Sequence, residues 1–204
     1  GNTVTTLGVF KDKELGATWH MATNIHRMAD EHAALLLNLL HHQGLDTAAI
    51  TEAALCSVVP PLIATFEELV QRYFHISPLV VGAGVKTGVR IRMDNPREVG
   101  ADRIANAAAA HHLYRGPIII VDLGTATTFD TISKEGDYLG GAIAPGINTA
   151  AEALFTRTAM LPRVELVHPK HAIGTNTIAA MQSGIVFGYV GLVEGVVARI
   201  QQEL

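Results

Sequence analysis

The chain has 204 residues, 49% of them hydrophobic and 17% charged, with a mean hydropathy of +0.27. That composition supplies the core of one large domain or two small ones, and it excludes disorder as the main state. Against 19 acidic residues stand 15 basic ones, so the net charge of -4 argues against a nucleic-acid binder, and the single cysteine, Cys56, rules out an internal disulfide.

In chain order, residues 5–10 and 17–23 predict a strand pair about the polar turn Lys11-Asp12-Lys13-Glu14. Residues 28–40 carry Met28, Ala29, Leu35, Leu36, Leu39 and Leu40 at helical spacing, and Gly44 stops them. Residues 53–59 read as a buried strand before Pro60-Pro61, residues 62–73 as a helix, and residues 79–81 and 89–92 as strands. The alanine-rich stretch 99–114 reads as a helix that Gly116-Pro117 breaks. A meander follows: strands at 118–121, 126–132 and 138–143, with the turn Lys134-Glu135-Gly136-Asp137 before the third. Helices are predicted at 148–159 and 177–202. The second carries Gly184, Gly188, Gly191 and Gly195 at about one-turn intervals, which admits another backbone, either from this chain or from a second subunit. No apolar run approaches the ~20 residues of a membrane span, so no membrane association is expected. The first residue is Gly1, so a trimmed or incomplete N-terminus is expected; no signal peptide is seen, and the lone cysteine fits a reducing cytoplasm. The low charge content fits a surface partly covered by another subunit.

Four segments can carry chemistry. In Asp122-Leu123-Gly124-Thr125-Ala126-Thr127-Thr128 a strand delivers an acid into a glycine turn lined by three threonines. Hydroxyls and free N–H groups there suit phosphate oxygens, and the acid suits a cation. An ordinary hairpin, with threonines chosen for β propensity, is the plainer reading. In Asp94-Asn95-Pro96-Arg97-Glu98-Val99-Gly100-Ala101-Asp102-Arg103 an acid and a guanidinium open the alanine-rich helix. They form either a capping pair or a carboxylate base beside an anion clamp. Gly140-Gly141-Ala142-Ile143-Ala144-Pro145-Gly146 is a tight turn or a ligand passage ahead of a helix N-terminus, and Gly174-Thr175-Asn176-Thr177 caps the last helix. Gly1-Asn2-Thr3-Val4-Thr5-Thr6 echoes the glycine–threonine turn at 124, which points to a duplicated unit. Other patterns are set aside. Gly84-Val85-Lys86-Thr87 lacks the glycine before the lysine of a P-loop, and Gly82-Ala83-Gly84 lacks the third glycine of a dinucleotide fingerprint. The pairs His41-His42 and His111-His112 face different sides of a helix, and Trp19 and Cys56 read as packing residues.

Taken in order, Gly1-Asn2-Thr3, the 94–103 segment, the 122–128 turn, the 140–146 segment and Asn176-Thr177 with Ala180-Met181-Gln182-Ser183-Gly184 resemble type III pantothenate kinase over almost the whole chain. The resemblance implies an α/β fold of the acetate and sugar kinase/Hsp70/actin kind. Two ribonuclease H-like domains, here residues 1–115 and 116–204, would flank a nucleotide cleft. It implies transfer of a phosphate from ATP to pantothenate, the first step of coenzyme A synthesis, by a cytoplasmic homodimer. The cofactors implied are Mg²⁺ with ATP and a monovalent cation, K⁺ or NH₄⁺. By motif, Asp102 resembles the base that takes the pantothenate hydroxyl proton. Gly100, Ala101, Arg103 and Thr177 would line the pantothenate site, with Arg103 on the substrate carboxylate. Gly1, Asn2, Thr3, Gly124 and Thr125 would contact ATP, and Asp122 would hold the monovalent cation. Family members have an acid before the first glycine and a further glycine-rich stretch after the last helix, and many have a tyrosine where Met93 stands. Some relatives are described as transcriptional accessory factors, so a non-catalytic regulator on the same fold is the alternative.

Overall fold

The computed structural model describes residues 1–82 and 84–204, so the glycine motif containing Ala83 lies partly outside the described residues. The chain is α/β and divides into two compact units: residues 1–87 with 95–105, and residues 88–94 with 106–204.

In the first unit β1 (Val4–Lys11) and β2 (Glu14–Ala22) form an antiparallel hairpin paired from Val4↔Ala22 to Lys11↔Glu14, with a register shift between Val9 and Phe10. Its two-residue turn places Asp12 at φ +56°, a left-handed conformation that aspartate tolerates better than most residues. α1 (Ala29–His42) opens with Glu31 reaching back to the Met28 N–H at 2.9 Å and ends toward Gly44 at φ +67°. β3 (Ala54–Cys56) pairs in parallel with β4 (Leu79–Val81), and α2 (Pro60–Phe74) connects them. The predicted strand at 53–59 is cut to three residues because Pro60 and Pro61 take the first helical positions, where a missing N–H costs nothing. Ala29, Ala33, Leu62, Phe66 and Leu69 form the core between α1 and α2.

In the second unit β5 (Ile118–Leu123), β6 (Ala126–Ile132) and β7 (Tyr138–Pro145) make the predicted antiparallel meander. Phe129, Ile132, Tyr138, Thr127 and Asp130 are fully buried in it. A Cβ on Gly141 would collide with the Phe129 carbonyl, so close packing of β7 on β6 explains that glycine. α4 (Ile147–Arg157) and α5 (Thr177–Glu203) follow. The chain at 88–94 is not the predicted strand. Gly88 has φ +81° and only Ile91 bridges to Tyr138, in parallel. Two backbone bonds hold that segment, Tyr138 N–H to the Arg90 carbonyl at 2.7 Å and Arg92 N–H to the Tyr138 carbonyl at 2.8 Å, and charge adds to them: Asp137, 7% exposed, accepts from Arg90 Nε at 2.8 Å, Arg90 Nη2 at 3.0 Å and Arg92 Nε at 2.9 Å.

α3 (Ala101–Leu113) is one helix whose residues through Ala105 cluster with the first unit and from Asn106 with the second.

α5 bears on two expectations. It is 27 residues long with a window of mean hydropathy 1.5, so by length and composition it could cross a membrane. Counting unbroken apolar runs missed this, because Gln182, Ser183 and the glycines interrupt the run. Side chains built at Gly184, Gly188 or Gly191 would meet nothing within 4 Å, so these glycines are not used for packing within the chain among the described residues.

Candidate functional site

The turn after β5 carries the first set of expected residues. Asp122 lies exposed near the strand end, and its pairing with Thr128 puts both side chains on one face of the sheet. α4 starts directly against the turn. Gly146 N–H donates to the Thr125 carbonyl at 3.0 Å, and the Thr149 hydroxyl donates to the same oxygen at 2.7 Å. A Cβ on Gly146 would run into the carbonyl oxygens of Gly124 and Thr125, so only glycine allows this approach.

The hydroxyl lining is narrower than the sequence predicts. Thr127 is fully buried and its hydroxyl pairs with Tyr189 of α5. The Thr128 hydroxyl reaches Asp130 at 3.5 Å, and the Gly124 N–H is spent on the Ala126 carbonyl at 3.0 Å. Strand alternation is the cause: Thr127 points into the core and Thr128 along the Asp122 face. Of the three threonines, Thr125 is the exposed one, beside the uncapped N-terminus of α4 at Gly146.

Asp122 is an oxygen donor of the kind that hard cations take. Asn106, in the second turn of α3, donates its Nδ2–H to Asp122 Oδ2 at 3.4 Å. Among the described residues no group of three or more His, Cys, Asp or Glu could cage a metal ion.

The first unit holds the second set. Asn95 caps a 3₁₀ turn at Pro96–Glu98, accepting from Arg97 N–H at 3.3 Å and donating to Glu98 at 2.7 Å. Buried Val99 and Ile104 anchor the segment on either side of Gly100. Asp102, in the first turn of α3, accepts the Arg103 N–H at 2.8 Å, and its carboxylate lies over Gly100, where a Cβ would meet Oδ1 at 2.6 Å. Gly100 therefore leaves room for that carboxylate.

Cys56, at the end of β3, reports what surrounds Asp102. Partial burial pushes its thiol pKa up, the Asp102 carboxylate adds to the rise, and the N-terminal ammonium of Gly1 opposes it. The first unit thus brings Asp102 within electrostatic reach of a thiol that the sequence marks as packing but that is exposed. The Gly1 ammonium donates to the Val4 carbonyl at 2.8 Å, and the Gly1 carbonyl accepts from the Thr23 hydroxyl at 2.8 Å. These bonds tie the start of the chain to the β1–β2 hairpin, while Asn2 and Thr3 stay exposed.

Thr177 opens α5, whose N-cap Asn176 accepts the Ala179 N–H at 2.9 Å. It lines a cavity of about 860 Å³ between α4 and α5, whose walls also include Leu154, Met181, Ile185 and Tyr189. Gly174 packs on the backbone of Ala179 and Ala180 so closely that a side chain there would collide. Thr177 and Asp122 belong to the second unit, Asp102 and Arg103 to the first.

A family model described as type III pantothenate kinase matches residues 1–199. A type III pantothenate kinase of Dehalococcoides mccartyi strain BAV1 is 60% identical over all 204 residues, which cover 78% of its length. One from Moorella thermoacetica is 53% identical over the whole chain and 80% of its own. Among solved structures, a Campylobacter jejuni protein assigned to the Baf family of transcriptional activators aligns with a TM-score of 0.54 at 19% identity, over 96% of this chain and 75% of that one. That last likeness is one of fold.

Proposed function

The chain belongs to the type III pantothenate kinase family, and from that premise we infer that it transfers the γ-phosphate of ATP to pantothenate, giving 4'-phosphopantothenate for coenzyme A synthesis. The observation that carries the inference is identity of 53–60% along the whole chain to proteins named for that activity. The regulatory alternative is not favoured, since its support is a fold likeness at 19% identity.

The residue roles are our reading, on two ribonuclease H-like domains at 1–115 and 116–204. Phosphoryl transfer asks a protein mainly for alignment and charge neutralisation. Asp102 accepts the proton of the pantothenate hydroxyl, and Arg103 holds the substrate carboxylate with Gly100, Ala101 and Thr177 around it. Supporting this, Asp102 sits over a glycine that leaves its carboxylate room, at the start of a helix anchored by buried Val99 and Ile104. Thr125 and Gly124, beside the α4 N-terminus, bind ATP phosphate, and Gly1, Asn2 and Thr3 form the matching turn of the first unit. A helix N-terminus favours the anion there. Asp122 holds K⁺ or NH₄⁺, and Mg²⁺ travels with ATP; both cations would offset phosphate charge when bound. We assign the protein to the cytoplasm as a homodimer that contacts neither nucleic acid nor membrane. The open glycines of α5, with Ile178, Phe187 and Val190 exposed beside them, support the homodimer.

The test is Asp102→Asn in a pantothenate phosphorylation assay. The expected result is a fall in kcat of about 10²–10⁴ with ATP binding kept. Full turnover in that variant would remove Asp102 from the base role.

A further inference from the structure

We propose that Asn106 is a positioning residue: its side-chain amide orients the Asp122 carboxylate for the monovalent cation. The proposal rests on the cation reading of Asp122 given above. Asp122 is exposed near the end of β5. The Asn106 Nδ2–H to Oδ2 contact at 3.4 Å is the side-chain hydrogen bond that this carboxylate makes among the described residues. It occupies one carboxylate oxygen and leaves the other for a cation. An amide is the right donor for that task. It carries no charge, so it does not neutralise the carboxylate as a lysine or arginine at the same place would, and the full negative charge stays available. Asn106 is also fixed independently of Asp122. It stands on α3 between Ile104, 3% exposed, and Ala107, fully buried, so the helix backbone that carries the amide is anchored without Asp122. Partners that orient a ligating group in this way typically change metal affinity 10–100-fold when removed. A contact as long as 3.4 Å belongs near the lower end.

The experiment titrates K⁺ against wild type, Asn106→Ala and Asn106→Gln, replacing K⁺ by choline at constant ionic strength. Two responses are read: the K⁺-dependent rise in unfolding temperature and the K⁺ dependence of pantothenate phosphorylation. Alanine is the best helix former, so the variant keeps α3. Asn106→Ala is expected to raise the half-saturating K⁺ about tenfold in both readouts. Its unfolding temperature without K⁺ stays that of wild type, most of kcat returns at saturating K⁺, and Asn106→Gln recovers much of the affinity by restoring the amide. An unchanged K⁺ half-saturation in Asn106→Ala, beside a responsive wild type, overturns the role of Asn106 alone. A loss of activity that is the same at every K⁺ concentration also overturns it. A wild type that answers to K⁺ in neither readout overturns the cation reading of Asp122 itself.

Discussion

The two units bury polar groups on opposite terms. In the sheet of the second unit, Asp130 is fully buried, and the fully buried Tyr138 donates its hydroxyl to Asp130 at 2.7 Å. In the helix pair of the first unit, His32 is 1% exposed, its ring centroid 4.8 Å from that of Phe66, and neither ring nitrogen completes a hydrogen bond among the described residues. Burial lowers the His32 pKa below its ordinary 6.5, and the Arg27 guanidinium lowers it further. A backbone contact at Asn24, too poorly aligned to complete a hydrogen bond, and the Glu31 carboxylate pull less strongly the other way. The difference teaches that one unit uses buried polarity as a connection and the other carries it as a cost. Strands give a buried acid a cross-strand partner two or three ångströms away, whereas two helices in contact offer mostly alkyl and aryl surface.

The largest effect that would sharpen this contrast is expected from Tyr138→Phe, which leaves Asp130 short of a buried donor. It should destabilise the protein by about 1–3 kcal/mol in denaturant unfolding. A neutral result would break the comparison. Next comes His32→Leu, which replaces an unpartnered imidazole with an apolar side chain of similar size. In wild type the folded His32 pKa lies below the unfolded one, so below about pH 6.5 the unfolded chain binds a proton that the folded chain refuses. Stability is therefore lost as pH falls from there toward the folded pKa, at no more than about 1.4 kcal/mol per pH unit. The leucine variant should unfold with less dependence on pH over that range, and an unchanged slope would exclude His32 as its source.

The smallest effect belongs to Asp137, whose pKa is lowered first by its hydrogen bond from Arg90 and then by that from Arg92. Here the stabilisation is present above the ordinary aspartate range and is lost as pH falls through the depressed folded value. Asp137→Asn should remove that acid-side loss while leaving the mild-acid response of His32 in place. The arginines are largely exposed, so solvent and salt screen the pair.

Much of the fold was readable in advance. The meander at 118–145 followed from alternating apolar strands with a glycine turn, and α1 and α5 from their spacing and caps. Less of the site was. Asp122, Thr125 and Gly124 do meet at one turn, but Thr127 and Thr128 had looked equivalent to Thr125. Strand register, which depends on the partner strand, turned one into the core and one toward Asp130. The electrostatic reach of Asp102 to Cys56 was invisible, because 46 residues separate them along the chain. Asn106 was hidden in an alanine-rich stretch with no motif signal of its own.

The amino-acid sequence by itself determined the periods, the caps, the turns and the family, since each depends on residues near one another or on motifs kept in order. Tertiary structure alone decided which hydroxyls, amides and carboxylates meet. Hydrogen bonds need atoms about three ångströms apart, and only the packed sheet and helices bring distant residues that close.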